Sequence, residues 1–511
     1  MDGEPSAPAG LCSPVMGHRV SDRPLVELCF AAGLAASLAG CGSGPDQDRP
    51  PNVVILSVDS LRQDHLGAYG HETSGPRREP ISPVFDSLAQ RGVLFENARS
   101  TTSWTLPSHM ALFTGLPDPL HGVTENRRRL APGLATLTEL FKEAGYATAG
   151  FFSGPNLHPT FGFGRGFDDY VDCSDVTLPP DAFSPDPDAE PGSMVEVHRT
   201  SHAAITSPSL VESASRYADA VLGDDQPLFL FVHWWDPHYD YLAPSDYVER
   251  FTSGDYTGSF TGDHYRERMQ PASARDARHL RELYDAEIRF TDDEIGRLLE
   301  VLERHDALDS TIVVYGSDHG EDFYEHGRWG HQRNLFETSV RIPLTIAGPG
   351  VPSGVRARGN AQLHDLFTTL TNLCGIEAPD YVEGRDLAAL WNDPTAAGPP
   401  STLHIAVPMR EIALTALVDG SHKAIYDHEG GRTLVYDLEG DPNEQRPLTP
   451  AESGPDGESV AKALEAELER LEQKRAELPT AGESELDAQL IDQLERMGYG
   501  VEADPDDESP R

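Results

Sequence analysis

Short apolar runs, each closing on a polar or acidic residue and followed by a helical pattern, constrain this chain more than any other feature. The run at 53–56 leads to Asp59, the run at 228–233 closes on His233, and the run at 311–315 leads to Asp318 and His319. A continuous apolar run of that length reads as a strand covered on both faces, as in a parallel sheet. Helical stripes lie between such runs. They fall at 82–91, at Leu134, Leu137, Leu140 and Phe141 ahead of Gly145, over a long stretch at 276–305, and at 363–374. Further strands are expected at 147–152 and 342–346. Alternation of this kind predicts an α/β fold with a doubly wound, mostly parallel central sheet flanked by helices. Ligands in such sheets bind beyond the carboxyl ends of the strands, where Asp59, His233, Asp318 and His319 fall.

The rest of the chain divides by composition. Arg19 and Arg23 precede an apolar stretch at 28–40 that is too short to span a bilayer and has the length of a signal-peptide core. It ends Leu38-Ala39-Gly40-Cys41, similar to a bacterial lipobox with Cys41 as the lipidated residue. Residues 1–41 are therefore expected to be a lipoprotein signal, with translation starting at Met16, and 42–50 a linker. The catalytic unit is placed at 51–400, with 172–209, rich in Pro, Asp and Ser, as an inserted loop. A small C-terminal unit is expected at 401–450, then a helical and acidic tail at 451–511. That tail holds a solvated charged helix at 458–478 and a disordered end after 502. Cys173 and Cys374 are the thiols left for one disulfide in an exported protein.

Charge narrows the partners. The chain has 84 acidic against 40 basic residues, a formal net charge of −44. Such a surface repels nucleic acid and anionic headgroups, so no nucleic-acid partner is expected, and membrane contact is expected only through a lipid anchor on Cys41. The run Arg127-Arg128-Arg129 reads as solvated surface.

Three segments carry chemistry. Asp59 sits at a strand end. In Ser317-Asp318-His319-Gly320-Glu321, an adjacent carboxylate and imidazole can reach one cation, and Gly320 lets the chain turn away. The segment from Thr101 to His109 places hydroxyls before a helix expected to start at Pro107, where amide groups and the helix dipole favour negative charge.

Together these segments resemble the sulfatase family of the alkaline-phosphatase-like superfamily. The resemblance rests on NVVILSVDSLRQDHLGAYG (52–70), TSWTLPSHMALFTGLPDPLHGV (101–122), GYATAGFFSGPNLHPTFGFGRGFDDY (145–170), LFLFVHWWDPHYDY (228–241), YDAEIRFTDDEIGRLL (284–299), GSDHGEDFYEHGRWGHQRNLFETSVRIPL (316–344) and LVYDLEGDPNEQRPL (434–448), in the family's order. It implies that Asp59, Asp318 and His319 hold a metal ion completed by Thr105. It implies that His238 and His331 contact the transferred group or protonate the leaving group, with His233 sharing that work. His109 stands where an Arg usually supports the nucleophile.

The departures from the family pattern decide the expected chemistry. The aligned run is Thr105-x-Pro107-x-His109, not Cys/Ser-x-Pro-x-Arg. A threonine carries a Cβ methyl, so its oxidation gives a ketone and not formylglycine. Ser60 replaces a second Asp, and His331 stands where many sulfatases have Lys. The resemblance implies Ca²⁺, while the imidazole ligand suggests Mn²⁺ or Zn²⁺. A second ion on His331 with Asp236 or His238 stays open. The expected function is hydrolysis of sulfuric or phosphoric esters through a covalent Thr105 intermediate, on an anionic ester substrate. Alternatives are a phosphodiesterase, a phosphotransferase serving a cell-envelope acceptor, and a degenerate binding protein. Specificity is assigned to the loops at 71–80 and 172–209.

Overall fold

The computed structural model describes residues 13–14, 49–73, 75, 78–174, 205–223, 226–262 and 272–496. Apart from Ser13–Pro14, the expected signal segment with Met16 and Cys41, linker residues 42–48 and the acidic end lie outside them. No helix among the described residues is long and apolar enough to cross a membrane.

The central sheet is built from β1 (Asn52–Val58), β2 (Val93–Arg99), β3 (Ala147–Phe152), β4 (Asp169–Asp172), β5 (Leu228–Trp234), β6 (Thr311–Ser317), β7 (Leu344–Ala347) and β8 (Val355–Gln362). Its order is β4-β3-β5-β1-β6-β7-β2-β8, with the two-residue strand Ser13–Pro14 beyond β4. The pairings are parallel except at Ser13–Pro14 and at β7, which runs against both β6 and β2. Alternation explains the apolar runs. Val53 and Ile55 of β1 enter the core on one face, and Val54, Leu56 and Val58 the core on the other. The same split holds for Phe229 and Phe231 against Leu230 and Val232 in β5.

Helices cover both faces, and four of them matter for the site or correct an expectation. α1 is Thr105–Thr114 and is buried throughout. It starts two residues before the Pro107 expected from sequence. Pro107 occupies the first turn, where its missing N–H costs no hydrogen bond, so it tolerates the start without setting it. α2 is Ser207–Val221, and its first three residues fall in the window 172–209 expected to be loop. Its Leu210, Val211, Ala214 and Ala218 pack on the sheet, while 175–204 lie outside the described residues. α3 is Ala274–Arg304, opened by a Ser273–Asp276 capping box.

The small C-terminal unit is an antiparallel sheet of β9 (Ser401–Val407), β10 (Ile412–Asp419), β11 (His422–Asp427) and β12 (Arg432–Asp437). One face packs on Leu335 and Val340. The other receives Val460, Ala461 and Leu464 of α4, Gly454–Glu477. The expectation of a solvated helix is therefore corrected: its charges cover one face, and its apolar stripe is buried. Leu471 of α4, with Leu490 and Leu494 beyond it, joins the main core. Cys173 lies in the core on one face of the sheet and Cys374 against the core on the other, so they form no disulfide. Arg128–Arg129 forms a short exposed strand against Gly482–Glu483, as expected of surface.

Lys423 pins the small sheet to the segment after β6. Its ammonium is buried, donates to Leu335 O at 2.8 Å, and pairs ionically with Glu337 Oε1 at 2.7 Å and Glu444 Oε1 at 2.8 Å. Arg99 holds the other side of Glu337. Removing one cation would leave buried carboxylates short of charge. Lys423→Met is therefore expected to destabilise the protein by about 3 kcal/mol in urea unfolding.

Candidate functional site

The register brings Ser57 of β1 level with His233 of β5 and Gly316 of β6. The residues after these ends, with the first turn of α1, make one buried cluster. Asp59 follows β1 and leads into Ser60, a non-glycine residue in the left-handed region with φ 57°. Both polar hydrogens of Ser60 pay back this strain. Its hydroxyl donates to Asp59 Oδ1 at 2.7 Å, and its N–H donates to Asp318 Oδ1 at 3.1 Å. Tyr284 of α3 clamps the turn, donating to Ser60 O at 2.7 Å and accepting from Arg62 N–H at 2.8 Å.

His319 Nδ1 donates to Gly320 O at 2.8 Å, which leaves its Nε2 lone pair facing the cluster. That nitrogen lies 3.7 Å from Asp59 Oδ1, 3.5 Å from Asp318 Oδ2 and 3.1 Å from Thr105 Oγ. Thr105 Oγ is also 3.3 Å from Asp59 Oδ2. Burial pushes the Asp59 carboxyl up to about 6, against the opposing pull of His319, Ser60 and Thr105. Ligand atoms of Asp59, Asp318 and His319 lie within 4.8 Å of one another, all buried. Asp318 Oδ2 has no hydrogen-bond partner. Two buried carboxylates, one with an orphaned oxygen, and an imidazole nitrogen are the donor set of a divalent cation, and the residues fit one.

Gly320 serves a different purpose from the one expected. Its φ is not left-handed. A Cβ there would instead run into the Thr338 carbonyl, beside the hydrogen bond from Gly320 N–H to Ser339 O at 2.8 Å.

The remaining histidines divide into two groups. His109 Nδ1 donates to Thr105 O at 2.9 Å, and its Nε2 meets Ser57 Oγ at 2.9 Å. His233 Nδ1 lies 3.4 Å from the same Ser57 oxygen, and its Nε2 is 3.5 Å from Asp59 Oδ2. Burial lowers the pKa of His109 to about 3 and of His233 to about 4, so both rings are neutral. His233 thus stands beside the carboxylates. His238 and His331 form the second group, with ring centroids 5.0 Å apart, and His331 is 4.4 Å from the His319 ring. His238 Nδ1 donates to Tyr239 O at 2.9 Å, and His331 Nδ1 is 3.3 Å from Glu321 Oε1. Burial, with Asp59 and Asp322 nearby, holds the Glu321 carboxyl well above its usual range.

Asp236, considered for a second ion, is committed elsewhere. Its Oδ2 accepts from Thr206 N at 3.1 Å and from Ser207 N at 2.9 Å, capping α2. Ser57, Tyr284 and Glu321 are site residues that sequence reasoning missed. Only their nearness to quoted motifs signalled them. A second acid–imidazole group lies at His65, His71 and Asp285. Asp285 Oδ1 is 2.6 Å from His65 Nδ1 and Oδ2 is 2.9 Å from His71 Nε2. Both carboxylate oxygens are satisfied by imidazoles, which makes this an ion-paired clamp between the 71–80 loop and α3.

Comparison with known proteins follows the geometry. The sulfatase family model matches residues 51–376. Choline-sulfatase of Rhizobium meliloti is 26% identical over 446 residues, covering 79% of this chain and 83% of that protein. Human iduronate 2-sulfatase is 24% identical, covering 64% of this chain and 70% of its own length. Among solved structures, phosphonate monoester hydrolase of Agrobacterium radiobacter aligns with a TM-score of 0.63 at 22% identity, covering 83% of this chain and 96% of its own. These likenesses establish the alkaline-phosphatase-like fold.

The clamp predicts a pH dependence. Burial lowers the pKa of His71, but the hydrogen bond and charge of Asp285 outweigh it, so the net shift is upward. The Asp285 carboxyl is shifted down, the two histidines outweighing its burial. The His71 contribution is complete below the ordinary imidazole value and fades as pH rises through the folded one. The Asp285 contribution is complete above the ordinary carboxylate value and fades as pH falls through the folded one. Asp285→Asn should therefore destabilise by about 2 kcal/mol between roughly pH 4 and 6.5, and progressively less above. Thermal melts across pH check this. A deficit that does not shrink above neutral pH would contradict it.

Proposed function

The chain belongs to the sulfatase family and is an ester hydrolase, and from that premise we propose that it is metal-dependent and uses Thr105 as a covalent nucleophile on sulfuric or phosphoric esters. One observation supports this most. The Thr105 hydroxyl is set at the first turn of α1, within 3.3 Å of Asp59 Oδ2 and 3.1 Å of His319 Nε2, amid the fitted donor set. Asp59, Asp318 and His319 would hold the ion. When bound, it supplies positive charge that acidifies the Thr105 hydroxyl and offsets charge on the ester's equatorial oxygens.

The chain's own groups perform the remaining steps. Thr105 Oγ attacks sulfur or phosphorus in line, opposite the leaving oxygen. The N-terminal end of α1, which carries Thr105, would add the positive end of its helix dipole to the group being transferred. His238 or His331 protonates the leaving alcohol. Water then cleaves the enzyme ester and restores Thr105. The positive field is local, so an acidic protein can accept an anion. Threonine as nucleophile gives the phosphoric-ester reading its weight, with transfer to an acceptor alcohol as its variant. Export and anchoring through a lipidated Cys41 complete the proposal, supported by the N-terminal sequence.

Two experiments test it. Residues 42–511 are assayed on nitrophenyl sulfate, phosphate and phosphodiester with Ca²⁺, Mn²⁺ and Zn²⁺. Thr105→Ala is expected to lose at least about a thousandfold in turnover while keeping the wild-type melting temperature. Wild-type turnover in that variant, or full activity in chelator, would sink the proposal. Intact-peptide mass should show residue 105 as unmodified threonine.

A further inference from the structure

A cavity of about 560 Å³ opens between the segment after β1, α3, the turn at 337–341 and the loop at 442–445. That volume lies in the range of small-molecule sites. None of Asp59, Thr105, Asp318, His319, His238 and His331 lines it. Its wall carries both signs of charge, and they can be matched one by one. Arg62 and Arg281 share Glu325 Oε1, at 2.8 and 3.2 Å, and Arg62 also pairs with Asp64 at 2.7 Å. Glu337 and Glu444 are matched from behind by Arg99 and Lys423, which do not line the cavity. One cation is left over. Arg341 is half-buried, and its Nη2 donates to Glu96 O at 2.7 Å and Asn97 Oδ1 at 2.9 Å, both neutral acceptors. It forms no ion pair among the described residues, in a chain with 84 acidic side chains. Burial lowers its pKa even with Glu337 nearby, so its charge is under-compensated.

Unpaired donors fall beside this charge. Thr338 stands three residues before Arg341, in and just after the single turn Glu337–Val340, so the two share one side of it. Thr338 Oγ and Arg341 Nε are both buried without a hydrogen-bond partner, and both residues line the cavity. Leaving such a donor unmet costs about 1–3 kcal/mol. Water satisfies a donor but brings no negative charge. An oxyanion does both, and it suits the fork of a guanidinium.

We propose that this cavity is an oxyanion site, in which Arg341 and Thr338 hold a sulfate or phosphate ion. These are the ions that ester hydrolysis releases, yet the site's residues are separate from the catalytic cluster and bind without Thr105 or a divalent ion. The same turn braces the chain after Asp318: Ser339 O accepts from Gly320 N–H at 2.8 Å and Thr338 O from Glu321 N–H at 3.0 Å. An ion on Thr338 therefore sits against the support of that chain.

The test uses the full chain from residue 42, stripped with chelator so that no metal draws anions to the catalytic cluster. Calorimetric titrations with sodium sulfate and with sodium phosphate are run at constant ionic strength in a chloride background. Saturable binding of one ion per chain is expected for at least one of them, with a Kd of about 1 mM or tighter. Arg341→Met is expected to abolish it. Thr338→Val, nearly isosteric, is expected to keep the wild-type melting temperature and weaken binding about fivefold. No saturation by either ion in the wild type overturns the proposal. So does saturation that is undiminished in Thr338→Val, the variant that decides if Arg341→Met fails to fold. Neither result would touch the reading of Thr105 and its neighbours.

Discussion

Two carboxylates held out of water at the end of a parallel sheet are the constraint on which this site depends. Asp59 and Asp318 are fully buried. Their hydrogen bonds come from the hydroxyls of Ser60 and Thr105 and from amide groups, none of which carries a full positive charge, with imidazole nitrogens standing 3.5–3.8 Å away. Burying a carboxylate costs several kcal/mol even after relaxation, and neutral donors offset only part of that. The raised pKa of Asp59 is the same imbalance expressed as protonation. A divalent ion corrects it directly. The left-handed Ser60, the Tyr284 clamp and the close approach of Gly320 to Thr338 are the backbone devices that keep the donors converging on one point.

Sequence disclosed the parts of this arrangement that a local pattern can encode. β1, β5 and β6 are buried on both faces, so their apolar runs are continuous and their ends conspicuous. The convergence of Asp59, Asp318 and His319 was therefore legible, and the segment 101–109 stood out by its hydroxyls before a helix. Long-range choices left no such trace. The 342–346 run marks a strand but carries no sign that β7 runs antiparallel. The helix at 454–477 looks solvated because 11 of its 24 residues are charged, yet Val460, Ala461 and Leu464 suffice to seat it on the small sheet. Asp236 lies in a motif shared with His238, and only the fold shows that it caps α2. Ser57, His109 and His233 come from three separate elements, and the strand register together with the placement of α1 brings them together.

The charge of the chain and the chemistry of its site are reconciled by distance. A net −44 acts over the whole surface and is screened within about 8 Å at physiological ionic strength. The groups facing the ester act at hydrogen-bonding distance in a pocket of low dielectric, where each charge counts for more. Repulsion at long range slows the approach of an anion without deciding its affinity once docked.

His109 makes the ion more necessary still. The family resemblance places an arginine at this position, and a guanidinium would bring its own permanent charge to the nucleophile. The imidazole here is buried, neutral and turned to Ser57, so it contributes direction but no charge. Threonine at 105 adds to the demand. A plain alcohol is far less acidic than the hydrated aldehyde that formylglycine would present, so more positive potential is needed to ionise it. On the proposed mechanism both departures push in the same sense: fewer fixed cations, a less acidic nucleophile, and therefore a site whose electrostatics would be supplied almost wholly by an ion held by Asp59, Asp318 and His319.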